Sequence, residues 1–436
     1  MMTRLLHAAT LAALMSPGLL TAESAQLIRE PQIPQREIRV VSVPSGLATA
    51  AIQKAMDAAS DAGGGCVIIP EGRFLSGPLV LGSNTELHLA KGAVLLMSDR
   101  EEDFPAGAKA RPPFISARDA HDVRLSGEGT IDGQGERWWK VFRAEKAQGG
   151  KDAPRRPQLI ALQGCERVEI AGITTLNPPN THYSLRDCKE LLIHGIKAIA
   201  PDDSPNTDAL NLNGVRNVLI RDCNISTGDD NIVLLCSASK KPGVPEVENV
   251  TIRDCVLGFG HGLSIGSYTS GGVRNVSAEN IRFDGTTSGI RMKASRDRGG
   301  VVENIRYRNL TMNKVRFPVS ITSYYPKPPD HPSRDLSTEG ARLNPVWRDI
   351  SIENLTATDS KNSIIVWGLP DAPVRDLSLK HVRISAAAGA LVFHGRGISF
   401  ADVEIHPASG PALRHFDAEI QGLIGDELDE QSVKFQ

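Results

Sequence analysis

Aromatic residues make up only 5% of this 436-residue chain, so its core has to be filled by aliphatic side chains. Neither sign of charge is in excess: 49 Lys and Arg stand against 51 Asp and Glu, a formal net charge of −2. Such a balance lacks the basic field that nucleic-acid binding requires, and no nucleic-acid partner is expected. Beyond the N-terminal stretch, no apolar run approaches the roughly 18 residues of a membrane-spanning helix, so no membrane partner is expected either. Cysteine is sparse, with six in all. What the chain has in quantity is turn-forming residues, 40 Gly and 27 Pro, which suit many short strands better than long helices.

The N-terminus reads as Arg4, a mostly apolar stretch from Leu5 to Leu20, and small or polar residues from Ala22 to Ala25. This is the pattern of a secretory signal, expected over residues 1–25 and implying a secreted product, periplasmic or extracellular. Composition shows no break along the remainder, so residues 26–436 are expected to form one elongated domain acting as a monomer.

One pattern recurs: a polar residue, often Asn, then apolar residues at offsets 0, 2 and 5. It appears as Val168/Ile170/Ile173, Leu191/Ile193/Ile196, Val218/Ile220/Cys223, Val250/Ile252/Cys255, Val276/Ala278/Ile281, Ile305/Tyr307/Leu310, Ile350/Ile352/Leu355 and Leu377/Leu379/Val382. Offset two keeps side chains on one face of a strand, and the break to offset five marks a turn. Successive copies lie roughly 23 to 32 residues apart, with one gap of about 45, which is solenoid spacing. A single coil cannot bury its apolar face, but coils stacked about 4.8 Å apart can. The expected fold is therefore all-β, a single-stranded, right-handed parallel β-helix.

Asn217, Asn249, Asn275 and Asn304 precede the first apolar position of their coils, where a turn tolerates left-handed backbone, and stacked they would form a ladder. Triplets such as Asn249-Val250-Thr251 belong to this repeat and are not read as glycosylation sites. Cys223 and Cys255 share an offset on neighbouring coils, as do Cys165 and Cys188, which points to buried stacked thiols rather than disulfides. An N-terminal cap over about 26–120 is expected, with a helix around Ala50–Met56 and a strand at Cys66–Ile69. Lys140 to Arg156 reads as a surface loop.

A second strand in each coil is marked by Leu210/Leu212, Ile232/Leu234, Leu263/Ile265, Ile290/Met292 and Val319/Ile321. Aligning coils on the first of each pair puts Asp208, Asp230 and His261 two positions earlier, hence stacked on one face. Asp229 adjoins Asp230, while Arg291 and Lys293 alternate with Ile290 and Met292 and point outward together. Gly228-Asp229-Asp230 alone is an ordinary turn sequence, and a histidine between two glycines an ordinary corner. Their common register on consecutive coils is what those bland readings do not provide.

Three carboxylates, an imidazole and two cations on one patch suit hydrolysis of an acidic polysaccharide. One carboxyl donates a proton, another activates water, and cations hold the sugar carboxylate. Crowded carboxylates cannot all ionise easily, which keeps one protonated. Register leaves open which aspartate takes which role.

The motifs Ser204-Pro205-Asn206-Thr207-Asp208, Gly228-Asp229-Asp230, Gly260-His261-Gly262-Leu263-Ser264-Ile265-Gly266-Ser267 and Arg291-Met292-Lys293 resemble those of the polygalacturonases, glycoside hydrolase family 28. The resemblance runs from about Ala50 to the region of Tyr325. It implies an inverting hydrolase of α-1,4-galacturonosyl linkages in pectin or polygalacturonate, with no metal or other cofactor. Asp229 would match the general acid, Asp208 and Asp230 would hold the attacking water, and His261 would assist. Asn206, Arg291, Lys293 and Tyr325, with Tyr324 as the alternative tyrosine, would bind substrate. This sequence departs from the family pattern at Ala209, usually Gly, at Asn231, commonly Cys, and at Met292, usually Ile. Competing readings are a rhamnogalacturonan-type hydrolase, a calcium-dependent pectate lyase on the same solenoid, and a non-catalytic carbohydrate-binding β-helix.

Overall fold

The computed structural model describes residues 28–40, 46–105, 111–149, 156–237, 246–334 and 343–428. The expected leader, residues 1–25, lies outside the described residues. The chain winds as a parallel β-helix, and every strand pair among the described residues is parallel. Early coils contribute three short strands, as in Lys189–His194, Lys197–Ile199 and Leu210–Asn213. Later coils merge the first two into one long strand, as in Val273–Asp284 followed by Ser288–Lys293.

The repeat read from the sequence is the register of the stack. Val168 pairs with Leu191, Leu191 with Val218, Val218 with Val250, and the line continues through Val276, Ile305 and Ile350 to Leu377. These positions are buried and form one continuous core along the axis. The same line extends to Thr85 and Val123 at one end and Ile398 at the other. Thr85 escapes a hydrophobic pattern because it is a polar residue buried at a core position.

The asparagine ladder is present. Asn217, Asn249, Asn275 and Asn304 have φ between 54° and 59°, a left-handed backbone that asparagine tolerates better than most residues. Each amide donates to the coil before it: Asn249 to Asn217 at 2.9 Å, Asn275 to Asn249 at 3.0 Å, Asn304 to Asn275 at 2.7 Å. A second ladder, unread in the sequence, joins Asn280 to Asp254, Asn309 to Asn280 and Asn354 to Asn309 at 2.9, 2.9 and 3.0 Å. All six cysteines are free thiols, and Cys165, Cys188, Cys223, Cys236 and Cys255 are buried.

The helix Thr49–Asp61 packs Ile52, Ala55, Met56 and Ala59 against the first strands. Coils already begin with the strand Gly65–Ile69, which pairs with Thr85–Leu89, so the covering segment is shorter than a cap reaching residue 120. A second difference lies at Lys140 to Arg156, expected as a loop. Residues Glu136–Ala147 are helical, anchored by buried Trp138 and Trp139 and by a Glu136–Lys140 pair at 2.7 Å one turn apart. Two adjacent tryptophans supply the burial that a charge-rich segment otherwise lacks. No helix among the described residues is long and apolar enough to cross a membrane.

Candidate active site

Five strands carry the candidate residues: Leu210–Asn213, Ile232–Cys236, Leu263–Thr269, Ser288–Lys293 and Phe317–Thr322. Leu210 pairs with Ile232, Ile232 with Leu263, Leu263 with Ile290 and Ile290 with Val319. That is the alignment expected from the sequence, and it stacks Asp208, Asp230 and His261 at the start of successive strands. Backbone bonds hold the line: Ala209 N donates to Asp230 O at 3.0 Å and His261 N to Asp229 O at 2.9 Å.

Asp230 is the hub. One carboxylate oxygen, Oδ1, accepts from Ser264 Oγ at 2.6 Å and Arg291 Nη1 at 2.9 Å, and the other, Oδ2, accepts from Lys293 Nζ at 2.8 Å. Both Asp230 and Lys293 are buried. Arg291 spans two coils to reach it. Removing two cations and a carboxylate from water is costly, and it is offset here because every charge has a close partner of opposite sign.

Asp229 has a different set of partners. Its Oδ1 accepts from the Asp230 backbone N at 2.9 Å, and the Asn206 amide donates to Oδ2 at 3.4 Å. His261 Nδ1 lies 2.9 Å from Asp229 Oδ1 and 3.8 Å from Asp230 Oδ1, close contacts not aligned as hydrogen bonds. Burial pulls the Asp229 carboxyl up, but His261 beside it and the Lys293 charge outweigh burial and hold it below its ordinary value.

Asp208 behaves oppositely. Burial, reinforced by the negative charges of Asp229 and Asp230, pushes it up to about 7, against a single donor, Asn211 Nδ2 at 2.8 Å. Burial and the two neighbouring carboxylates thus favour the protonated form of Asp208 in the free site, as crowded carboxylates require.

The two tyrosines separate. The Tyr325 ring lies 5.4 Å from Lys293 Nζ, at the site, whereas Tyr324 packs edge-on against Trp367 at 5.6 Å in a small apolar cluster with Phe393. All eight candidate residues thus belong to one neighbourhood. Three further residues complete it: Asn211 on Asp208, Ser264 on Asp230, and Asn231. The Asn231 side chain donates to Phe259 O at 2.8 Å and accepts from Gly262 N at 2.7 Å, bracketing the corner that presents His261. Asn211 and Ser264 are the outward residues following Leu210 and Leu263, so strand alternation was the signal available for them. Ala209 and Met292 are both buried in the core.

Asp229, Asp230 and His261 place three potential metal-ligand atoms within 4.8 Å of one another. Calcium demands six to eight oxygen ligands. Both Asp230 oxygens are already engaged by Arg291 and Lys293, so a divalent cation would meet two fixed positive charges. The donor set suits an anionic ligand better than a metal ion.

The solenoid thus sets an acidic trio beside two cations on one face of its stacked strands. The model of the Glycosyl hydrolases family 28 matches residues 66–398, and the chain belongs to that family. It is 30% identical over 386 residues to the endo-polygalacturonase of Pectobacterium carotovorum subsp. carotovorum, covering 84% of this chain and 90% of that one. Among solved structures, the exopolygalacturonase of Thermotoga maritima superposes with a TM-score of 0.77 at 25% identity, covering 89% of this chain and 96% of the other. The polygalacturonase of Erwinia carotovora ssp. carotovora gives 0.71 at 26% identity over 87% and 98%.

Proposed function

We propose that the chain hydrolyses α-1,4-galacturonosyl linkages of pectin or polygalacturonate with inversion of configuration. The observation that carries the reading is Asp230 held between Arg291 and Lys293, beside Asp229 and an Asp208 whose burial favours its protonated form. An ionised group, a protonated one and two cations are what acid hydrolysis of an anionic sugar chain uses. Relatives named endo-polygalacturonase and exopolygalacturonase support the same substrate class.

In this mechanism Asp229 donates its proton to the leaving oxygen, and Asp208 and Asp230 hold and activate water, with His261 adjusting the charge on Asp229. Arg291, Lys293, Asn206 and Tyr325 bind the sugar. A bound galacturonate adds negative charge and excludes water around Asp229, both of which raise its pKa and bring it the proton. The free site favours a second assignment, in which Asp208 is the donor, because it is the carboxyl pushed up to about 7. Asp229→Asn and Asp208→Asn separate the two. Loss of the donor lowers turnover at least about 10²-fold, and a leaving group that needs no protonation restores the donor variant selectively.

The deciding assay follows products from polygalacturonate with chelator present. New reducing ends without ultraviolet absorbance from an unsaturated sugar support hydrolysis. Absorbance that vanishes with chelator establishes a calcium-dependent lyase instead, and no turnover of any acidic polysaccharide leaves a binding module. The leader read at residues 1–25 places the reaction outside the cytoplasm, and the enzyme acts as a monomer.

A further inference from the structure

Arg156 is a buried arginine with no carboxylate partner among the described residues. Its Nη1 donates to Pro179 O at 2.8 Å and Pro205 O at 2.6 Å, and its Nη2 donates to Asn206 Oδ1 at 2.7 Å. The guanidinium stacks on the Phe142 ring at 4.0 Å, on the helix Glu136–Ala147. Burial lowers its pKa to about 10, still well above neutrality, so the cation persists. A buried charge whose hydrogen bonds all go to carbonyl oxygens is costly for a structural tether alone.

Its consequence lies one residue further on. An amide side chain has two ends, and its orientation is set by its partners. Guanidinium only donates, so Arg156 selects the oxygen end of Asn206 and turns the NH₂ end toward Asp229 Oδ2, 3.4 Å away. Asn206 itself sits at φ 56°, in the turn that Arg156 clasps through Pro205 O. We propose that Arg156 is a positioning residue for the reaction: it fixes the Asn206 amide so that an N–H, not a carbonyl, faces the outer oxygen of Asp229. Without it the amide can present its oxygen to the carboxylate, a repulsive contact that displaces Asp229 and disfavours its ionised form.

The inference rests on the hydrolase reading above. It is tested on the full-length enzyme with Arg156→Met, Asn206→Ala and the double variant, on polygalacturonate across pH. Each single variant lowers kcat by about three- to tenfold; Arg156→Met moves KM less than about twofold, whereas Asn206→Ala, which also removes a sugar contact, raises it further. Each also moves the alkaline limb of kcat to higher pH, because Asp229 loses a donor to its ionised form. The double variant is no worse than Asn206→Ala, since both changes remove one interaction. Arg156→Lys, which keeps the charge and part of the donation, recovers part of the rate and serves if Arg156→Met does not fold. Additive losses, or a lower melting temperature with the pH limb unmoved, overturn the positioning role while leaving the hydrolase reading intact. A wild type inactive on acidic polysaccharides overturns both.

Discussion

Lys293 Nζ lies 2.8 Å from Asp230 Oδ2, with both side chains buried, so the cation proposed to bind substrate is also the partner of a carboxylate proposed to activate water. Lys293→Ala therefore acts twice: it removes a contact to the sugar carboxylate and leaves Asp230 with Arg291 and Ser264 only. A charge-assisted hydrogen bond contributes about 1.5 to 3 kcal/mol, so kcat/KM on polygalacturonate is expected to fall by at least about tenfold. Comparison with a neutral galactan checks it. If neutral galactan is hydrolysed equally well before and after, the galacturonate assignment is wrong.

The Asp208 carboxyl, pushed up to about 7, sets both a pH profile and a stability trend. Activity that needs one proton on the trio declines as pH rises through about 7. Stability follows the same sign: an unfolded Asp ionises near its ordinary value, whereas the folded one stays protonated to about 7. The folded state thus binds more protons in that window, and stability is lost as pH rises through it. Asp208→Asn removes the penalty, so its melting temperature above neutrality exceeds that of the wild type by a few degrees, a gap that narrows in acid. Thermal unfolding at pH 5 and pH 8 reads this directly, and a gap that widens in acid contradicts it.

The coil register and the stacking of Asp208, Asp230 and His261 were legible in the sequence because both depend on side-chain alternation, which apolar spacing reports. The second ladder through Asn280 and Asn309 was not, since it lies at polar positions between the apolar offsets two and five. The helix Glu136–Ala147 was hidden by its charges, although Trp138 and Trp139 were there to anchor it. Roles within the trio were illegible for a different reason. Proton affinity depends on burial and on facing charges, and His261 lowers Asp229 while burial raises Asp208. Asn231 shows the same limit. As a departure from the family pattern it read as a missing cysteine, and only the bonds to Phe259 O and Gly262 N reveal that it secures the His261 corner.

That corner yields a prediction. Asn231→Ala leaves the buried Gly262 N–H without its acceptor, at about 1 to 3 kcal/mol, while Phe259 O keeps the Thr227 N–H. Denaturant unfolding is expected to show a loss in that range, accompanied by reduced kcat as His261 loses its fixed position. An unchanged midpoint, with activity retained, shows that Asn231 does not hold the corner.

The inner ladder makes a graded prediction. Asn275 both donates to Asn249 and accepts from Asn304, whereas the ladder bonds of Asn217 reduce to one accepted from Asn249. Both have left-handed backbones, with φ of 59° and 55°. Alanine at either site carries the left-handed cost of roughly 1 to 2 kcal/mol, and each lost bond adds about 0.5 to 1.5 kcal/mol. Asn275→Ala is therefore expected to destabilise more than Asn217→Ala, and Asn275→Gly, free of the backbone penalty, less than Asn275→Ala. Equal losses at the two rungs contradict the ladder account.

Tyr324 and Tyr325 are adjacent in sequence and separate in function on this geometry. Tyr324 packs against Trp367 in an apolar cluster, so Tyr324→Ala is expected to cost about 2 to 5 kcal/mol of stability through the space it leaves. Tyr325 has its ring beside the Lys293 ammonium, at the site rather than in that cluster. Tyr325→Ala is expected to raise KM and lower kcat/KM for oligogalacturonates while shifting stability by less than about 1 kcal/mol. Unfolding curves and steady-state kinetics on the two variants give a crossed result if the assignment holds. The reverse crossing, with Tyr324→Ala stable but inactive, assigns the sugar contact to Tyr324.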